Sequence, residues 1–307
     1  MLEQETVING KVLEELRKII YELTGNYYPD ERLMLLAKKL NMFLEDKSTT
    51  VHKSATTNKS ATTNKSATTN KSATIQVNST EALKIKLDEL FKEKKLTKEI
   101  LNIITVPETK FFREKIQLDT FMKEIILKIV LPAIPKGQPI KVASFACSTG
   151  EEVYTLAMMF EASSIKYQII GFDINESYLE KARSGIYPKR ELLDIPHEYH
   201  RFLDIKEDSI KIKDSIMKNT QFKQLNLIRK EDFAPYREVF DVAFCRNALI
   251  YFNDDSKLNA IKNIAYSIKM GGFFIVSMTE VLSRIHTQFF ETMKINNIFF
   301  YKKIKEV

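Results

Sequence analysis

IKVASFACSTGEEVYTLAMMFEASSIKYQIIGFDIN, residues 140–175, reads as strand, tight turn, helix, strand. Ile140 to Ala146 is a short apolar run of strand type, and Ser148, Thr149 and Gly150 form the turn. Glu151 and Glu152 open the helix, and Ile169 to Phe172 is a second strand that ends at Asp173. A strand that feeds a helix and returns to a parallel strand is the nucleotide-binding unit of doubly wound sheets. In that unit a ligand sits where the first strand ends, and an acid at the end of the second reaches ribose hydroxyls. The separation of Gly150 from Asp173 fits this geometry.

A dinucleotide site asks for three glycines as G-x-G-x-x-G, so that backbone N–H groups close on a pyrophosphate. Here there is only Gly150, and the turn carries two carboxylates. Acids at a helix N-terminus suit its orphan N–H groups and its dipole, but they repel phosphate. Such a turn suits a ligand with a ribose and positive charge better than one with phosphates. S-adenosylmethionine has a ribose, an ammonium and a sulfonium. The other reading of the stretch is an ordinary capped helix in an α/β core.

Outside this stretch, composition sets the bounds. The 307 residues, 44% hydrophobic and 28% charged, make one large or two modest globular domains. A net charge of +7 and a pI of about 9.1 permit acidic partners: nucleic acid, anionic lipid or an acidic protein. The opening MLEQETVING is acidic rather than apolar, so no signal peptide is expected. The longest apolar run, around Ile125 to Ile134, holds Lys128 and is too short to span a bilayer. Two cysteines, Cys147 and Cys245, and no H-x-x-x-H spacing point to a reducing compartment, the cytoplasm, without disulfides or a metal cluster. Both cysteines read as small buried residues.

N-terminal to the central stretch, residues 7–23 and 31–44 show helical apolar spacing, with Arg32, Lys38 and Lys39 on a charged face. That face is either solvated surface or a dock for an acidic helix. From Lys53 to Thr74 the hexapeptide KSATTN repeats three times and is followed by KSAT. Without large apolar residues it cannot offset the entropy of ordering, so residues 47–79 are expected to be a disordered loop. Helical spacing returns over residues 80–104, and Phe121 to Leu131 reads as an apolar helix ending at Pro132. C-terminal to the stretch, YLEKARSGIYP reads as helix then turn, and IKEDSIKIKDSI as a small hairpin. FKQLNL (222–227), FDVAF (240–244), GGFFIVSM and NNIFFYKKI read as strands, with an amphipathic helix over 254–269. The sum is an α/β fold with a mostly parallel, Rossmann-like sheet and a C-terminal antiparallel hairpin, preceded by a small all-helical domain. The expected boundaries are 1–104 for the helical domain, 105–136 for a linker and helix, and 137–307 for the sheet domain. A small β insert is expected at about 203–217.

The peptides TKFFRE, ACSTGEEVYTLA, DIN, LEKARSGIY, LNL, FDVAFCRNALIYF and GGFFIVS occur in this order. Together they resemble the chemotaxis receptor methyltransferases, the CheR family. The resemblance implies a class I S-adenosylmethionine-dependent methyltransferase fold behind a receptor-docking helical domain. It implies methyl transfer to glutamate side chains of acidic chemoreceptor helices, leaving S-adenosylhomocysteine. Carried over by position, Thr109 and Arg113 face the cofactor from the segment between the domains. Glu151 takes the cofactor's charged methionine portion and Asp173 the ribose. Asn226 and Leu227 flank the adenine, and Arg246 and Asn247 lie beside the methionine part. Arg113 and Tyr251 position the substrate carboxylate. Pro107 stands where the family often has Asn, which removes a side-chain contact to the cofactor. The insert lacks the glycine-containing loop with which some members grip a receptor tether, so action without such a tether is expected; a monomer is expected as well.

The chemistry agrees with a site that offers no His, catalytic Cys or Ser-His pair. A glutamate with pKa near 4.3 is already ionised at neutral pH, and a sulfonium is already an activated leaving group. Neither a general base nor a metal is called for, only in-line alignment and exclusion of water. Arg113 reads otherwise as a structural ion pair with Glu114 or a nearby acid, and Tyr251 as core packing beside Phe252. Two rivals remain. A nucleic-acid methyltransferase would suit the basic pI, but CRNALIYF lacks the Asp/Asn-Pro-Pro-aromatic pattern of amino methylation, and no basic–aromatic run is present. A cofactor-binding interaction module without turnover is the other.

Overall fold

The structure is a computed structural model, and it describes residues 10–40, 98–105, 107–283 and 287–307. The KSATTN repeat, the loop expected over 47–79 and most of the helix expected over 80–104 lie outside the described residues. The chain divides into two compact units at Ile104/Thr105, with Thr24–Asn26 counted to the second.

The first unit is helical. It contains α1 (Gly10–Thr24), α2 (residues 30–40) and α3 (Lys98–Ile104). Leu16, Ile19, Ile20, Leu33, Leu36, Ala37, Leu40, Leu101 and Ile104 are buried, as the 3.6-residue spacing requires. The Tyr28 hydroxyl donates to the Ile104 carbonyl, which satisfies one of α3's terminal acceptors. Lys38 and Lys39 are exposed on α2.

The second unit is a doubly wound sheet. Its strands are β1 (Ile140–Phe145), β2 (Tyr167–Asp173), β3 (Ile186–Pro188), β4 (Leu203–Ile205), β5 (Ser209–Ile212), β6 (Thr220–Gln224), β7 (Phe240–Phe244), β8 (Ile268–Ile275), β9 (Phe290–Ile295) and β10 (Ile298–Lys303). The large sheet has the order β6-β2-β1-β7-β8-β10-β9, and β3, β5 and β4 form a separate antiparallel sheet. β6, β2, β1, β7 and β8 are mutually parallel, whereas β10 runs antiparallel to both β8 and β9. Its helices are α4 (Lys115–Thr120, Phe121–Val130 and Leu131–Ala133 end to end), α5 (Glu151–Ala162), α6 (Glu176–Ser184), α7 (Asp214–Met217), α8 (Lys230–Phe233) and α9 (Asp254–Ser267). The chain leaves β1 for β2 on one side and later returns to β7 on the other, so the switch point lies between the ends of β1 and β7.

Both faces of the sheet are covered, which is why its strands read as continuous apolar runs. Val142, Val242, Phe244 and Phe273 pack on one face with Phe121, Ile125, Leu156 and Phe160. Their neighbours Ala143, Ala243, Cys245 and Phe274 pack on the other with Phe233, Ile261 and Ile264. That alternation is the period of two of a pleated strand.

Four elements differ from the sequence reading. The apolar helix does not end at Pro132 but continues through Ala133, because Phe121–Val130 is wound as a wide π-helix. Pro132 then falls in the first turn of the last segment, where a missing N–H is tolerated. IYP is no turn: Gly185 ends α6 at φ 60°, and Ile186–Pro188 pairs with β5, so the insert has three strands. β6 spans Thr220–Gln224 rather than 222–227, since Leu225 and Leu227 are buried beyond the strand end. β8 starts at Ile268, before the two glycines.

Candidate functional site

The C-terminal ends of β1, β2 and β7 form one edge at the switch point. Ala146 and Ser148 take positive φ of 53° and 50° after β1, and Gly150 takes 95°. A Cβ on Gly150 would lie 2.8 Å from the Ala182 Cβ and 3.2 Å from the Phe222 ring, so only glycine fits. The turn is braced from the insert, where the Tyr187 hydroxyl donates to the Thr149 carbonyl at 2.7 Å.

Asp173 ends β2 and is buried. Its Oδ2 accepts the Ser148 N–H at 2.8 Å and its Oδ1 the Asn175 N–H at 2.9 Å. Burial pushes its carboxyl up to about 6, although three backbone N–H groups oppose the shift. These N–H contacts still leave a lone pair on at least one carboxylate oxygen for a further donor. Glu151 is 2% exposed. Both its oxygens accept the Thr149 hydroxyl at 2.7 Å, and desolvation raises its pKa.

Glu152 turns the other way. Its Oε1 accepts the Ser144 hydroxyl at 2.7 Å and its Oε2 accepts Arg246 Nη1 at 3.1 Å. Arg246, after β7, holds three partners on two segments: Glu152, and the Glu114 carboxylate at 2.8 Å with the adjacent Arg113 carbonyl at 2.7 Å. Its side chain is 3% exposed. Burial would raise the Glu114 pKa, but hydrogen bonds from Ser277, Arg246 and the Met278 N–H outweigh it and hold the carboxyl below its ordinary value. Asn247, at φ 59°, donates its N–H to Glu280 at 2.8 Å and its amide to Ser277 at 3.0 Å.

The sequence-derived residues fall into two groups. Asp173, Glu151, Arg246 and Asn247 border the switch-point edge, and the Arg113 backbone is tied to it through Arg246. Asn226 and Leu227 follow β6 beside it, with the Leu225 N–H donating to the Asp173 carbonyl at 3.0 Å. The Asn226 carboxamide accepts the Ile228 N–H at 3.1 Å, and the Leu227 carbonyl accepts Asn263 at 2.9 Å. Thr109 is half-buried on the segment before α4. The Arg113 guanidinium is not paired with Glu114: it donates to the Glu108 carbonyl at 2.6 Å and lies 3.7 Å from the Glu108 carboxylate, 26% exposed. Tyr251 is half-buried and closes a short 3-10 turn, Leu249–Tyr251. Pro107 is exposed. Sequence reading missed Glu152, Ser277 and Glu280. Their partners in other elements lie up to 163 positions away, and no local spacing announces them.

Two buried polar atoms at this edge, Ser148 Oγ and Arg246 Nε, lack a hydrogen-bond partner among the described residues. The orphaned Arg246 N–H asks for an acceptor and the two buried carboxylates for donors or positive charge, which fits a polar ligand carrying both. S-adenosylmethionine meets that description.

The model of the family described as "CheR methyltransferase, SAM binding domain" matches residues 107–299. The chain is 31% identical over 264 residues to a chemotaxis protein methyltransferase of Campylobacter jejuni, covering 85% of each. It is 30% identical over 225 residues to one of Listeria monocytogenes, covering 71% of this chain and 82% of that one. It is 32% identical over 197 residues to chemotaxis protein methyltransferase 2 of Vibrio cholerae, covering 62% of this chain and 67% of that one. A match that runs from the segment before Arg113 to the start of β10 takes in the other six strands of the large sheet, and by it the chain belongs to the CheR methyltransferases.

Proposed function

We propose that this protein is an S-adenosylmethionine-dependent protein-glutamate O-methyltransferase acting on the acidic cytoplasmic helices of a chemoreceptor. The observation that carries the reading is the acidic edge at the switch point, Asp173 and Glu151, inside the part of the chain that matches the family. Phosphate ligands are disfavoured there by the same carboxylates.

When bound, S-adenosylmethionine supplies a methyl group on a sulfonium: a carbon–oxygen bond forms to the substrate carboxylate as the carbon–sulfur bond breaks, and S-adenosylhomocysteine leaves. Asp173 takes the ribose hydroxyls with its remaining lone pairs, and Glu151 balances the cationic methionine end. Asn226 and Leu227 border the adenine, and Thr109, Arg246 and Asn247 complete the cofactor's surroundings. Arg113, loosely held by Glu108, is placed to exchange that contact for the substrate carboxylate, in a plane fixed by its guanidinium. It engages only one oxygen, because full pairing would quench the nucleophile. Tyr251 steadies the same carboxylate. The substrate is ionised at neutral pH, so alignment and water exclusion are the remaining work.

The exposed Lys38 and Lys39 face supplies complementary charge for an acidic receptor helix. The insert's β4–β5 turn, Lys206–Glu207–Asp208, has no glycine, which supports action without a receptor tether. A cytoplasmic monomer completes the proposal. Among the described residues no helix is long and apolar enough to cross a membrane. Peptide mass mapping of receptor incubated with enzyme and cofactor tests the reading: one methyl mass should appear on glutamates. Methylation of lysine, or of nucleic acid, would refute it.

A further inference from the structure

Ser277 follows β8 and is 1% exposed. Its hydroxyl donates to Glu114 Oε1 at 2.6 Å and accepts from Asn247 Nδ2 at 3.0 Å, with the Thr279 hydroxyl also at 3.0 Å. Its N–H donates to Glu280 Oε2 at 3.1 Å. Two carboxylates from different parts of the chain therefore meet at one serine, and each governs a separate arm.

Glu114 governs the Arg113 arm. Phe112 and Glu114 sit at φ 50° and 54° on either side of Arg113. Such left-handed backbone on bulky side chains persists only where surroundings over-determine it. The surroundings are explicit: the Phe112 N–H donates to Thr155 at 3.0 Å, and Glu114 is held by Ser277, Arg246 and the Met278 N–H at 3.1 Å. Glu280 governs the Tyr251 arm. This carboxylate accepts the N–H groups of Asn247 at 2.8 Å and Ile250 at 3.2 Å, which shape the turn that ends in Tyr251. None of these three groups has a role in the transfer itself.

We propose that Ser277, whose hydroxyl holds Glu114 on one side and the Asn247 carboxamide on the other, is a positioning residue that fixes the Arg113 arm and the Tyr251 arm relative to each other. The functional part of the inference rests on the roles proposed above for Arg113 and Tyr251; the coupling of the two arms does not. Ser277 acts at a distance from the reacting atoms, by setting where the substrate carboxylate is gripped. Displacement of such a grip by a fraction of an ångström lowers turnover more than it loosens the cofactor.

Ser277→Ala, close in volume, tests this by hydrogen exchange and kinetics on the full chain. Exchange should quicken together in peptides covering 108–116 and 246–252, and remain unchanged in 140–175. Turnover should fall about tenfold to a hundredfold, with a smaller loss of cofactor affinity transmitted through Asn247 and Arg246. Glu114→Gln should give the same pattern, and the double variant should lose less than the product of the two single losses, as residues in one network do. Quicker exchange in one arm or neither, unchanged turnover, or losses of turnover and cofactor affinity in parallel would overturn the inference. A wild-type enzyme that forms no glutamyl ester strikes the proposed function, whereas the exchange data still decide whether the arms are coupled.

Discussion

Asp173 and Arg246 carry the sharpest consequences of single side chains. The folded pKa of Asp173, about 6, lies above its ordinary 3.8, so between these two values the ligand-free folded chain holds a proton there that the unfolded chain has lost. Its contribution to stability is therefore full below the ordinary value and is lost as pH rises through about 6. Ribose hydroxyls donate to the ionised form. Cofactor affinity should then fall as pH drops below about 6, with proton release on binding near that pH. Calorimetry in buffers of different ionisation heat measures this, and Asp173→Asn should flatten the profile while weakening affinity about tenfold or more. Arg246 is different in kind, because its guanidinium is already committed to Glu114, Glu152 and the Arg113 carbonyl. Arg246→Ala leaves two carboxylates without their cation and should cost about 3–5 kcal/mol in denaturant unfolding. At this scale the sequence was legible in part. Asp173 and Glu151 could be read from their distance to Gly150 and the strand pattern, but the partners of Arg246 could not. Glu114 and Glu152 lie 132 and 94 positions away from it, and only the sheet brings them together.

Among the elements, the turn between β1 and α5 is the most constrained. Gly150 has φ 95° and no room for a Cβ beside Ala182. Gly150→Ala should lower stability by about 1–3 kcal/mol and weaken the cofactor's hold more than it lowers the melting temperature predicts. Thermal unfolding with and without S-adenosylhomocysteine would separate the two effects. β1, α5, β2, β7 and α9 were legible because burial on two faces or one leaves a plain periodic mark. β3 was not, because three residues after a glycine look like any turn until β5 pairs with them. β6 was displaced for a related reason: Leu225 and Leu227 are apolar because they join the buried cluster of Phe145, Phe172 and Phe233, not because they lie in the strand. Pro132 misled because a proline ends an α-helix, whereas here it follows a π-wound segment and opens a new turn.

For the molecule as a whole, charge and substrate are the open quantities. A net charge of +7 with exposed Lys38 and Lys39 on α2 suits an acidic partner met by electrostatic steering. Replacing both with Glu should slow receptor methylation several-fold at low salt and flatten its salt dependence, with cofactor affinity unchanged. An unchanged rate at low salt would make that face plain solvated surface. The central claim is the carboxylate acceptor, and alkali lability tests it most directly. Receptor-containing membranes are incubated with the enzyme and methyl-labelled S-adenosylmethionine, then treated with mild base. Release of the label as volatile methanol is the predicted result, since only carboxyl methyl esters hydrolyse so easily. Label that stays bound through base treatment, or that is found in nucleic acid, would contradict the account.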